Sequence, residues 1–176
     1  AISSIGMFEH VGLSRLGEYL EVLSGLLRPE GRLLNHGISR MGGRPDIDSK
    51  SFIARYVFPD GALHEVGSVV TAIQTKGLEV RDVESLREHY GRTLRHWVAN
   101  LESEWDTAVK LVGANRARVW RLYMAASALN FDANRTSVHQ VLAVSTGPKG
   151  PSGMPATRGE MLGETQQSDR ATRQPV

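Results

Sequence analysis

Residues 1–39 constrain the fold more than any other stretch of the chain. Ala1–Ile5 is short, apolar and followed at once by Gly6, as a central strand is. Leu13, Leu16, Leu20, Leu23 and Leu27 then recur at three-four spacing, with Arg15, Glu18, Glu21 and Ser24 between them. That pattern predicts an amphipathic helix with one polar face. Arg28-Pro29-Glu30-Gly31 breaks the helix, and Gly31–Ser39 reads as a second buried strand. A strand, a helix and a strand joined by short turns form a βαβ unit. Its two strands should be parallel, with a right-handed crossover.

The remaining chain extends the same plan. Arg40–Asp48 is a Gly/Pro/Asp loop, Ser49–Tyr56 allows a short helix, and Phe58-Pro59-Asp60-Gly61 is a turn. Val66, Val69, Val70 and Ile73 mark another amphipathic helix, ended by Lys76-Gly77. Leu78–Val83 is a third strand. One helix is expected over Arg87–Val112, with Leu94, Trp97, Leu101, Trp105, Ala108 and Val112 on one face. Another is expected over Arg116–Leu129, and Thr136–Ser145 is the last strand. Strands interleaved with helices make an α/β fold. No G-x-G-x-x-G turn follows any of these strands. From Thr146 the composition shifts to Gly, Pro, Ser, Thr and Gln. The expected division is therefore a folded part over 1–145 and a disordered tail over 146–176.

Composition removes several function classes. The 176 residues suffice for one domain with a core, and the formal net charge is only +2. There is no cysteine, so neither disulfides nor thiolate metal sites are available. No apolar run approaches the roughly 20 residues of a membrane span, and no basic leader precedes the first strand. The expectation is a soluble cytoplasmic protein. Ala1 opens directly onto a strand, which suggests a chain cut from a longer one. Glu9, His10 and His36 lack the spacing of a metal site. No basic stripe interleaved with aromatics points to nucleic acid. Arg87, Arg92, Arg95, Arg116, Arg118 and Arg121 give the late helices a basic cast, a solvated face that also allows peripheral contact with phospholipid head groups at the inner membrane surface.

Five segments, in order, resemble one family. They are Ser4-Ile5-Gly6-Met7-Phe8-Glu9-His10-Val11-Gly12, Leu34-Asn35-His36-Gly37-Ile38, Phe52-Ile53 with Arg55–Gly61, His89-Tyr90-Gly91-Arg92-Thr93-Leu94 with Trp97, and Trp120–Tyr123 with Val138-His139-Gln140. Together they resemble the cyclopropane fatty acid synthases (the mycolic acid cyclopropane synthase family), which are S-adenosylmethionine-dependent methyltransferases. The resemblance covers Ala1–Val144 and implies the C-terminal half of a seven-stranded, Rossmann-like class I methyltransferase sheet. It implies transfer of a methyl group to the cis double bond of an unsaturated acyl lipid. The resulting carbocation closes to a cyclopropane when it loses a proton. It also implies a bound bicarbonate as the base, held by Glu9, His36, Tyr90 and the backbone of Ile38.

The residue chemistry suits that implied role. Glu9 and His36 are each expected just after a strand, at the sheet edge where open α/β folds bind ligands. His36 and the Tyr90 hydroxyl can donate hydrogen bonds, and Glu9 can accept one. The rings of Tyr90 and Phe8 could face a cation. Trp97, Trp105, Trp120 and Tyr123 are expected in the core, and the resemblance makes the helices that carry them walls of an acyl tunnel. His64, His89, His96 and His139 are read as structural or surface residues.

The departures are a family cysteine and a glycine-rich cofactor turn, neither of which is in this chain. Only Ile5 and Gly6 are placed to touch S-adenosylmethionine, so the isolated chain is expected not to bind it. Two other readings stay open: methyl or methylene branching through the same cation, and a silent remnant whose exposed sheet edge associates with a partner.

Overall fold

A computed structural model describes residues 1–43 and 47–163. The middle of the loop expected after Arg40, residues 44–46, and the last part of the expected tail, 164–176, lie outside the described residues.

The βαβ unit is present. Strand β1 (Ile2–Ile5) pairs in parallel with β2 (Arg32–Arg40), Ile5 facing His36. Between them run two short 3-10 turns, Phe8–His10 and Leu13–Arg15, and helix α1 (Leu16–Leu26). The leucine stripe works as the spacing predicts: Leu16 and Leu20 are buried and Leu23 packs beside them. Each fully buried leucine contributes about 1.5–3 kcal/mol.

Helix α2 (Phe52–Tyr56) starts at Ser51, whose hydroxyl accepts from the Ala54 amide at 3.2 Å. Helix α3 (Val66–Thr75) buries Val69 and Ile73. Strand β3 (Leu78–Ser85) follows. The single long helix expected over Arg87–Val112 is instead two, α4 (Arg87–Ser103) and α5 (Trp105–Val112), separated at Glu104. None of the residues of α5 is buried. The apolar spacing Leu94, Trp97, Leu101, Trp105, Ala108 continues in the sequence across Glu104, so periodicity does not mark the break. Gly113 (φ 81°, ψ 153°) turns the chain into α6 (Ala114–Asp132), and β4 (Thr136–Ser145) ends the sheet.

The strand order is β1-β2-β4-β3. The last strand inserts between β2 and β3 and runs antiparallel to both. Alternation along β2 and β4 then sorts side chains to two layers. Leu33, Val141 and Ala143 pack with α1, α3 and Phe8 on one face. Val138, Ile38 and Tyr90 pack with Leu94, Met124, Ala128 and Phe131 on the other, under α4 and α6.

The first part of the segment after Ser145 is placed against the sheet. Arg32 donates to the Gly153 carbonyl, Arg81 donates to that of Pro155 (both 3.1 Å), and Arg158 pairs with Asp82 at 3.3 Å. Helix α7 (Arg158–Met161) carries a Thr157/Glu160 capping box.

Candidate active site

Parallel pairing in the βαβ unit brings the ends of β1 and the middle of β2 together. Gly6 takes a left-handed conformation (φ 63°) and its amide donates to the His36 carbonyl at 2.9 Å. The chain then turns through Phe8–His10, so Glu9 stands over the sheet. Glu9 is only 7% exposed. Its Oε1 accepts from the Ile38 amide at 2.7 Å, while Oε2 is buried without a hydrogen-bond partner. A buried carboxylate oxygen is costly unless a donor, water or ligand included, meets it.

Around Glu9 lies a cavity of about 330 Å³. Ile5, Gly6, Glu9 and His10 line it from the end of β1, and His36, Gly37 and Ile38 from β2. Tyr90, Leu94 and Trp97 close it from α4, and Trp120, Tyr123, Ser127 and Phe131 from α6. Ile53, Phe58 and Leu63 enter from the α2 region, held there by the Ala62 amide donating to the Glu9 carbonyl at 2.9 Å. Aromatic rings meet edge to face across the walls: Tyr90 with Phe131 (5.3 Å) and Trp97 (5.9 Å), and Phe58 with Tyr123 (5.5 Å) and Trp120 (6.2 Å). The His36 and Tyr90 rings are 6.3 Å apart.

Electrostatics keep the phenols neutral. Burial pushes the Tyr90 hydroxyl above its ordinary value, and the Glu9 carboxylate adds to the shift. Burial likewise raises Tyr123, against a lowering hydrogen bond from Ser127. Both remain O–H groups at neutral pH.

Glu9, His36, Ile38 and Tyr90 therefore share one cavity, and Ile5 and Gly6 reach its rim. His36 does not follow its strand as expected. It lies inside β2, because β4 continues the pairing of β2 beyond the end of β1. Phe8 also differs from expectation. It is 3% exposed, packed on the α1/α3 side, and does not line the cavity. Trp97, Trp120 and Tyr123 line the cavity; Trp105 does not. His64 is buried beside Phe8 and His139 is bonded to Ser39 Oγ, both structural positions. Among the described residues no group of three His, Cys, Asp or Glu could hold a metal, and no helix is long and apolar enough to cross a membrane. Phe58 and Phe131 were missed as site residues. Neither carries a polar group, and only the tertiary fold brings them to Glu9.

A half-sheet with an inserted antiparallel last strand, helices on both faces and an aromatic cavity at the end of its first strand defines a methyltransferase-type α/β fold. The solved cyclopropane synthase MmaA2 from Mycobacterium tuberculosis superposes with a TM-score of 0.74 at 27% identity, over 81% of this chain and 54% of that one. The mycolic acid cyclopropane synthase CmaA1 complexed with SAH and CTAB gives 0.73 at 28% identity, with the same coverage.

The chain belongs to the mycolic acid cyclopropane synthetase family, which matches residues 1–141. A protein named "Probable fatty acid methyltransferase" from Pseudomonas putida is 44% identical over 163 residues, 91% of this chain and 41% of its own length. One of the same description from Mycobacterium tuberculosis is 46% identical over 155 residues, 88% and 36% respectively. The chain thus spans about two fifths of these relatives and about half of the solved chains.

Proposed function

We propose that the whole protein uses S-adenosylmethionine to methylate the double bond of an unsaturated fatty acyl lipid, giving a cyclopropane, and that this chain supplies the proton-removing and acyl-binding side of the site. The observation that carries this reading is the buried Glu9 Oε2, unpartnered in an otherwise aromatic cavity beside His36 and Tyr90. Family membership and the solved cyclopropane synthases support it.

The residues fit a small hydroxylated anion such as bicarbonate. Glu9 can accept its O–H, and His36 and the neutral Tyr90 hydroxyl can donate to its oxygens. The Ile38 amide, now bonded to Glu9 Oε1, orients the carboxylate. Bound there, the anion would supply a proton acceptor beside the rings. The surrounding apolar walls exclude water and take the alkyl chain. Tyr90, Phe58 and Tyr123 present π-electron density that favours positive charge, each contact being worth about 0.5–2 kcal/mol. The residues present fit S-adenosylmethionine poorly: Ile5 and Gly6 offer one wall, with no glycine-rich turn. That cofactor supplies the methyl group. We expect these 176 residues alone not to bind it at micromolar concentration by calorimetry.

Methyl or methylene branching is the second reading. The two fatty acid methyltransferases are 44% and 46% identical to this chain, more than the 27% and 28% of the two cyclopropane synthase structures. The lipid-contact surface in this reading is the end of α5 and the first turns of α6, where Leu111, Val112, Arg116 and Arg118 are all exposed. Arg87, Arg95 and Arg121 are instead engaged by Phe131 and Asp132 carbonyls, by Asp132 and by Glu102.

The test is product analysis by mass spectrometry and NMR for the full-length enzyme with S-adenosylmethionine and unsaturated phospholipid. Glu9→Gln and His36→Phe should each lower turnover by about 100-fold or more, the scale of losing a group that positions the reacting partner. Undiminished turnover in both would sink the site assignment. Cyclopropane protons in the product separate the first reading from the second.

A further inference from the structure

His36 lines the cavity, and its ring nitrogen Nδ1 meets a side chain that does not. In the β2–β4 ladder His36 and Gln140 are direct cross-strand partners, so their side chains leave the same face of the sheet. The Gln140 side-chain nitrogen Nε2 lies 3.2 Å from His36 Nδ1. Gln140 is not among the residues that line the cavity; His36 is.

An amide NH₂ group donates and has no lone pair to offer. A contact between that group and Nδ1 therefore requires the lone pair of the imidazole at Nδ1, which places the ring proton on Nε2. We propose that Gln140 is a positioning residue that fixes neutral His36 as the Nε2–H tautomer, so that the cavity receives a hydrogen-bond donor and not a basic lone pair. The ligand class follows: an acceptor, an oxyanion above all, seated between this N–H and the O–H-accepting Glu9. With the opposite tautomer the same ring would act as a base on whatever the cavity holds. Gln140 thus decides which of two chemistries His36 performs without touching the ligand. The role of the tautomer rests on the functional reading above; the tautomer itself does not.

The experiment uses the chain labelled with ¹⁵N-histidine. Long-range ¹H–¹⁵N correlation spectra, recorded where the ring is neutral, distinguish protonated from bare ring nitrogens. The wild-type chain should show His36 as a single Nε2–H tautomer. Gln140→Leu removes the donor and should give a mixture. Gln140→Glu offers only an acceptor at neutral pH and should invert the ring to Nδ1–H.

Amide spectra that overlay with wild type show that the fold is unchanged. A wild-type ring that is mixed or Nδ1-protonated overturns the proposal, whether or not the variants fold. So does an Nε2–H ring retained in a folded Gln140→Glu variant. Because no ligand or turnover enters this readout, it can succeed while Glu9→Gln and His36→Phe both retain full activity. That combination would leave the tautomer standing and remove the site assignment.

Discussion

Gly37→Ala is the substitution whose outcome the geometry defines most sharply. Gly37 sits in β2 with Phe8 pressed against its Cα. A β-carbon added there would lie 1.9 Å from Phe8 Cε1, 2.6 Å from Cδ1 and 2.9 Å from Cζ. Ordinary carbon–carbon contact is about 3.5–4.0 Å, so the ring must retreat by about 1.5 Å. Phe8 is 3% exposed, and the adjoining void holds only about 10 Å³. Nothing beside the ring can absorb the movement. Overpacking of this kind costs about 1–3 kcal/mol, and the small void argues for the upper end. At about 2–4 °C per kcal/mol for a chain of this size, Tm should fall by about 5–10 °C. Urea unfolding and calorimetry of the chain measure this. Phe8→Leu alone should also destabilise, by roughly 1–2 kcal/mol. The double variant should be more stable than the sum of the two predicts, with a coupling of about 1 kcal/mol or more. Gly37→Ala within about 0.5 kcal/mol of wild type, or strict additivity with Phe8→Leu, would refute the steric reasoning.

Three further outcomes are expected. Leu33→Ala empties a fully buried position in β2 and should cost about 2–5 kcal/mol in denaturant unfolding; a loss below 1 kcal/mol on the same scale would contradict the packing of α1 and α3 on this strand. Gly113 has φ 81° and ψ 153°, a region open almost only to glycine, so Gly113→Ala should cost about 1–3 kcal/mol and speed amide exchange in α5, where no residue is buried. Burial lowers the pKa of His139, so the unfolded chain binds its proton more readily. Stability should therefore be complete above histidine's ordinary 6.5 and decline as pH falls below it; His139→Gln should flatten that slope, and an unchanged slope would remove His139 as its source.

Legibility followed the range of the interactions. The β1-α1-β2 unit depends on local periodicity, and Leu16 and Leu20 took the buried face their spacing predicts. Helix α3 and strands β3 and β4 were visible for the same reason. The break at Glu104 was not, because the apolar spacing runs on through it in the sequence and no proline or glycine marks the junction. The placement of β4 between β2 and β3 depends on which edge of β2 is free, and strand hydrophobicity does not encode that. Gly- and Pro-rich composition concealed the docking of Gly153, Pro155 and Arg158, since two of those contacts use backbone carbonyls that any residue carries.

The site divides along the same line. Glu9, His36 and Tyr90 each stand in a dense local motif, and the fold brings all three to one cavity. Their mutual relation is a product of sheet register. His36 faces Ile5 across one ladder and Gln140 across the other, so β1 delivers the carboxylate and β4 delivers the group behind the imidazole. A one-residue slip of β2 against β4 would turn His36 to the α1/α3 face, where Phe8 and the Ser39–His139 pair lie. The Glu9–Ile38 bond opposes such a slip. Ile38 is two residues beyond His36 on the same face, and in the observed register its amide meets Glu9 Oε1 at 2.7 Å. The carboxylate is thus tied through one oxygen to the strand that carries His36, and its second oxygen stays clear of that strand.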